Sequence, residues 1–194
     1  GKTHLIQAMG NAIKEKFSGK QIHYIPLEKF AIDYVNSLRN NKPNEFKQKY
    51  RKYDVLIMDD VQFISNKEKT QEELFHLFNT LHDTNRQIIF SSDKHPNFIP
   101  GLEDRLRSRF GSGMIIDITE PDMESKIAII KSKLDENSLN LSADIIEYIA
   151  ISITGSIREL EGSLNTIICQ IQLKKRDLSI NEVKKLIKNN IKPS

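Results

Sequence analysis

The sequence predicts a parallel α/β sheet followed by an all-helical second domain, and three observations carry that prediction. Amphipathic stretches and short apolar runs alternate through residues 1–118, the order that builds strand, helix and parallel strand. Val55-Leu56-Ile57-Met58 is an uninterrupted apolar run, as expected of a strand covered on both faces. Beyond Glu120-Pro121 strand signals fade and helical periods take over.

From Lys2 to Phe17 the apolar positions Leu5, Ala8, Met9, Ala12, Ile13 and Phe17 recur at helical spacing, with Gly19 as a stop. Gln21 to Ile25 reads as a strand closed by Pro26. Leu27 to Leu38 returns to a helical period, and the polar turn Arg39 to Asn44 precedes a basic helix from Glu45 to Lys52. After the strand at Val55 to Met58 come a helix from Lys69 to His82 and a strand from Gln87 to Phe90. A short helix from Pro100 to Phe110 and a strand from Met114 to Ile118 complete the first domain. The second domain, from about Thr119 to Ser194, holds helices at Met123 to Leu134, Ala143 to Ile153, Ile157 to Leu173 and Asn181 to Ile191.

Composition narrows the function classes. The 194 residues are 38% apolar and 28% charged, with eight glycines, six prolines and one cysteine, which excludes collagenous, disordered and disulfide-framework proteins. No run of about 18 apolar residues exists to cross a bilayer, and no charged-then-apolar leader opens the chain. A reducing, cytoplasmic setting is expected. The net charge of +3 demands no polyanionic partner but permits a local basic patch. The histidines have no metal-ligand spacing with Cys169 or with one another, so a zinc site is not expected. Cys169, among Ile167, Ile168 and Ile171, is expected in the core.

Several constellations carry chemistry. Gly1-Lys2-Thr3 heads an amphipathic helix. It is either an accidental tripeptide or the end of a phosphate-binding loop, in which helix N–H groups and the lysine hold phosphate and the hydroxyl reaches magnesium. Asp59 and Asp60 end the apolar strand, where ligands of open α/β sheets bind. There one carboxylate can hold Mg²⁺ through water and its neighbour can polarise a water, or both can simply cap a turn. Ser92 and Asp93 end the next strand and should reach the same crevice. Arg105 and Arg109 stand i,i+4 on one helical face without an acid four residues earlier, a repulsion that an external anion or a solvated surface can relieve. Ser156 to Glu159 fits a capping box, which puts Arg158 in a helix's first turn against the dipole, beside an anion or paired with Glu161. The clusters Lys47-Lys49-Arg51-Lys52, interleaved with Phe46, Tyr50 and Tyr53, and Lys67-Lys69 read as phosphate contacts or as solvated helix faces.

These stretches together resemble the AAA+ P-loop ATPase core, domain III, of the DnaA family of bacterial replication initiators. The residues that carry the resemblance are Gly1 to Leu5, Val55 to Phe63, Asn66 to Glu73, Gly101 to Gly111 and Arg158 to Gly162. It implies that Gly1, Lys2, Thr3 and His4 finish Walker A and that Asp59 and Asp60 form Walker B, with Thr3 and Asp59 toward Mg²⁺. It further implies that Asp93 is the first nucleotide sensor and Arg158 the second. Arg109 becomes an arginine finger acting on ATP of a neighbouring subunit, with Arg105 in the same contact. The helices between residues 27 and 52 become an initiator-specific insertion, and Val35, Lys67, Lys69 and Thr70 face single-stranded DNA. Lys69 stands where many relatives carry arginine, keeping charge without the bidentate fork.

The function so implied is an ATP-dependent initiator of chromosomal replication, a weak ATPase whose ATP-bound head-to-tail oligomer opens the origin and which hydrolysis to ADP switches off. The first sheet strand and the glycine-rich half of the phosphate loop are expected upstream of these 194 residues, so this segment by itself is expected to be inactive. Duplex origin DNA and the replicative helicase would be met by further domains, and acidic phospholipids are a further implied partner. A helicase loader or regulatory paralogue would share this core. A single-stranded DNA scaffold with a vestigial nucleotide site is the non-enzymatic alternative, and it predicts strand binding indifferent to ATP.

Overall fold

The computed structural model describes the backbone of residues 1–191 and the side chains of residues 1–188. The chain forms two compact units that divide between Asp117 and Ile118. In the first unit α1 (Lys2–Lys16), β1 (Ile22–Pro26), α2 (Leu27–Arg39) and α3 (Pro43–Arg51) lead to β2 (Val55–Asp59) and a 3₁₀ turn at Val61–Ile64. Then follow α4 (Glu68–Asp83), β3 (Gln87–Phe90), a second 3₁₀ turn at Pro96–Phe98, and α5 (Asp104–Gly111). The sheet is parallel, in the order β1-β2-β3.

Register sorts the side chains into two layers. Tyr24 pairs with Ile57, which pairs with Ile89, so Ile22, Tyr24, Val55, Ile57 and Ile89 share one face and pack with Ile6 and Ile13 of α1. Ile25, Leu56, Met58, Ile88 and Phe90 share the other, over a larger core with Phe30, Tyr50, Leu74 and Leu106. All five residues of β2 are buried, as the unbroken apolar run predicts.

The α1 face is a correction. The sequence stripe of Leu5, Met9 and Phe17 is largely exposed, and the buried residues are Ile6 and Gly10. Gly10 gives no hydropathy signal, yet it marks the close approach of helix to sheet: a Cβ there would fall 2.8 Å from Ile57 Cδ1. The Met114–Ile118 strand is absent. These residues are irregular, with Met114 89% exposed, because a strand is a paired state and no ladder reaches them among the described residues.

Two helix starts also move. α3 begins at Pro43, which fits the first helical turn. α5 begins at Asp104 and not at Pro100, because Gly101 takes a left-handed φ of +62° against Asn66.

The second unit holds α6 (Met123–Glu136), α7 (Ala143–Ser152), α8 (Ile157–Lys174) and α9 (Ile180–Ile191). One apolar cluster runs through all four, with Ile130, Ile149, Leu164, Ile167 and Val183 inaccessible to solvent. Cys169 is exposed and not in this core. It follows the buried pair Ile167 and Ile168, and the helical turn carries it past the apolar stripe to the outer face. No helix among the described residues is long and apolar enough to cross a membrane.

Candidate active site

The carboxyl end of the sheet concentrates the predicted chemistry of the first unit. Asp59 is the last residue of β2, on the α1 face, and is 2% exposed. Its Oδ2 accepts the Tyr24 hydroxyl at 2.8 Å, and its Oδ1 accepts the Ser91 hydroxyl. Burial alone would push its carboxyl up, but the Ser91 and Tyr24 hydroxyls that donate to it, with Thr3 and the Asp60 backbone close by, hold it below the usual carboxylate value. Asp59 is therefore a buried carboxylate that stays charged among neutral donors, without a Lys or Arg in salt-bridge reach among the described residues.

Asp60 turns the chain out of the strand in the left-handed region, φ 60°. Its N–H donates to Ser91 Oγ at 3.1 Å, and its Oδ1 accepts Gln62 Nε2 at 2.9 Å. Gln62 Oε1 in turn accepts the backbone N–H of Asp93 at 3.5 Å. One amide thus joins the ends of β2 and β3, while the Asp93 carboxylate itself remains exposed. Lys2 and Thr3 open α1, with Gly1 as its N-cap and no acid in the first turn, an end whose dipole favours an anion. His4 is exposed on the same turn.

Tyr24, Ser91 and Gln62 were not among the sequence candidates. Ser92, which was, contacts the backbone of Lys94. A strand-by-strand pattern cannot show cross-strand contacts, but the period of two places Ser91, not Ser92, on the face of Ile89 and Asp59.

The arginines of α5 lie over rings of α4. Arg105 stands 5.0 Å from the Phe75 ring centre and Arg109 5.9 Å from that of Phe78. Arg105 Nε also donates to Glu103 at 2.5 Å and Arg107 to Asp104 at 2.6 Å, so the repulsion argument for Arg105 is met internally. Arg109 makes no carboxylate contact among the described residues. In the second unit Ser156 caps α8 by accepting the Glu159 N–H, leaving Arg158 exposed in the first turn. Glu161 acts on Lys133 of α6.

Val35, Lys67 and Thr70 line two adjoining clefts of about 330 and 340 Å³, and Lys69 lines the second. The structure thus gathers all four predicted strand-facing residues at one place. It divides the other basic cluster: Lys47 pairs with Glu73, Lys49 with Asp33, and Phe46 and Tyr50 enter the core.

Comparison with known proteins gives this geometry a family. Residues 1–117 match the family described as the bacterial DnaA ATPase domain. The chromosomal replication initiator protein DnaA of Caldanaerobacter subterraneus subsp. tengcongensis is 47% identical over 189 residues, covering 97% of this chain and 43% of that protein. The crystal structure of domain III of the Thermotoga maritima replication initiation protein DnaA superposes with a TM-score of 0.95 at 36% identity, covering all of this chain and 81% of that one. A replication initiator DnaA bound to AMPPCP and single-stranded DNA gives a TM-score of 0.79 at 41% identity, over 90% of this chain and 55% of that one. The chain spans less than half the length of the curated relatives it matches. With its parallel AAA+ sheet and helical C-terminal unit, the chain belongs to the bacterial DnaA ATPase-domain family.

Proposed function

We propose that this chain is the nucleotide-switched core of a chromosomal replication initiator that acts in the cytoplasm. One observation carries the reading: Asp59 is buried, and the Tyr24 and Ser91 hydroxyls donate to its two oxygens and hold it charged. A buried charge without a counter-charge is costly, so this donor set fits a divalent cation. The fit is to Mg²⁺, which takes one or two protein oxygens together with phosphate and water, here from Thr3 and Asp59. Bound there, Mg²⁺ would neutralise charge on the nucleotide phosphates.

The chain's own groups then divide the work on ATP and ADP. Lys2 and the N–H groups at Gly1, Thr3 and His4 hold phosphate at the head of α1. Asp60, oriented by Gln62, polarises the attacking water, and Asp93 senses the γ-phosphate from the end of β3. Arg109 serves the nucleotide of a neighbouring copy from its seat on Phe78, Arg105 joins that contact, and Arg158 is the second sensor for its own chain's nucleotide. The clefts at Val35, Lys67, Lys69 and Thr70 take single-stranded DNA by its backbone. AMPPCP and single-stranded DNA on a 41%-identical DnaA support both halves of the reading. Assembly of the ATP form into a head-to-tail oligomer, origin opening and shut-off by hydrolysis complete it. Duplex DNA, the replicative helicase and acidic phospholipids are assigned to the whole initiator.

The test uses the full-length protein. Fluorescent ATP should bind the parent and not Lys2→Ala, and the parent should assemble with ATP but neither with ADP nor as Arg109→Ala. Equal assembly in all three, measured by size, overturns the reading in favour of a nucleotide-indifferent scaffold.

A further inference from the structure

Tyr24 belongs to none of the motifs above, yet its hydroxyl sits at the junction of three elements. Its ring packs in the apolar layer beneath α1 with Ile22, Ile57 and Ile89. Its hydroxyl donates to Asp59 Oδ2 at 2.8 Å and lies close to the Gln7 side chain of α1. Phenylalanine would fill the same layer, so what the hydroxyl adds is these polar contacts.

We propose that Tyr24 is a positioning residue for the divalent cation: it fixes the plane of the Asp59 carboxylate and ties it to the helix that carries Thr3. The inference rests on the nucleotide and metal reading above. A carboxylate turns easily about its last torsion. Here Tyr24 from β1 holds one oxygen and Ser91, just past β3, holds the other, so neither can swing without breaking a bond. Mg²⁺ tolerates little departure from octahedral geometry, and outer partners that orient its ligands set affinity. Tyr24 also packs beneath α1 with Ile6 and Ile13, and Gln7 lies one turn beyond Thr3 on that helix beside the Tyr24 hydroxyl, so both oxygen ligands sit in one frame.

The experiment is a Mn²⁺ titration of full-length protein with a non-hydrolysable ATP analogue, read by the electron paramagnetic resonance signal of free Mn²⁺. The parent is compared with Tyr24→Phe, Asp59→Asn and Gln7→Leu. Tyr24→Phe should weaken Mn²⁺ binding about tenfold and raise the Mg²⁺ needed for half-maximal hydrolysis, with kcat at saturating Mg²⁺ within about twofold. Its metal-free nucleotide affinity and melting temperature should hold. Gln7→Leu, at an exposed position, should give a smaller shift of the same sign and serves as the probe if Tyr24→Phe fails to fold. Mn²⁺ affinity unchanged in both while Asp59→Asn loses it overturns the inference, as does a fall in melting temperature without a change in affinity. Absence of Mn²⁺ binding by the parent overturns the underlying reading instead.

Discussion

Among the described residues, Asp59, Thr70, Gln71, Glu73 and Ser91 are the buried polar side chains of the first unit, and Ser163 is that of the second. Both units have extensive apolar cores, so the difference is not one of core size. A buried polar group costs free energy unless its partners are supplied, and for Asp59, Gln71 and Ser91 the first unit supplies them from strands and the loops at strand ends. Gln71, fully buried, donates to the carbonyls of Ile64 and Gly101 and accepts the Glu103 N–H, fastening the segment that leads into α5. The second unit is specified by apolar packing, with its charges on the surface. One unit fixes the position of charge, and the other fixes shape.

Breaking that comparison takes the most energy in the second unit. Leu164 is inaccessible to solvent at the centre of its cluster, and Leu164→Ala should cost about 3 kcal/mol, lost methyl burial plus the cavity left behind. Urea unfolding followed in the 118–194 region should show the loss. A change under 1 kcal/mol would mean that this core is loosely packed and that shape there is not set by apolar contacts.

Gln71→Leu is the matching change in the first unit. It keeps volume but strips partners from two carbonyls and one N–H, at about 2 kcal/mol. Because those groups lead into α5, ATP-dependent assembly should fall further than stability alone accounts for, measured by size at a temperature where the variant is folded. Full assembly would reduce Gln71 to a core residue and erase the contrast between the units.

The same contrast sets what the sequence could reveal. Asp59 and Asp60 are legible because a carboxylate pair ending an apolar run is anomalous within one strand, and Val55 to Met58 is legible because β2 is buried on both faces. Tyr24, Ser91 and Gln62 are not, since their partners come from other strands and turns and only register brings them together. The α1 face is not legible because one of its two buried positions is Gly10, a residue without a side chain. Residues 114–118 have strand composition, but pairing lies outside the segment's own pattern. In the helical unit periodicity suffices for nearly everything except Cys169, whose neighbours in sequence are not its neighbours on the helix face.

The smallest expected effect sharpens the electrostatic side. Asp33 of α2 accepts the Tyr50 hydroxyl and the Lys49 ammonium, each at 2.7 Å, pinning α3 to α2. Burial pushes its carboxyl up, but those two partners outweigh burial and hold it below the usual value. A carboxyl depressed on folding stabilises above its unfolded pKa, near 4, and that contribution is lost as pH falls through the lower folded value. Asp33→Asn should therefore cost about 1 kcal/mol at pH 7, with the gap narrowing below about pH 4 and closing once the parent's carboxyl is protonated. Urea melts at pH 7, 5 and 3 measure this directly. A gap that stays constant with pH would show that Asp33 works through shape, as the second unit does, and not through charge.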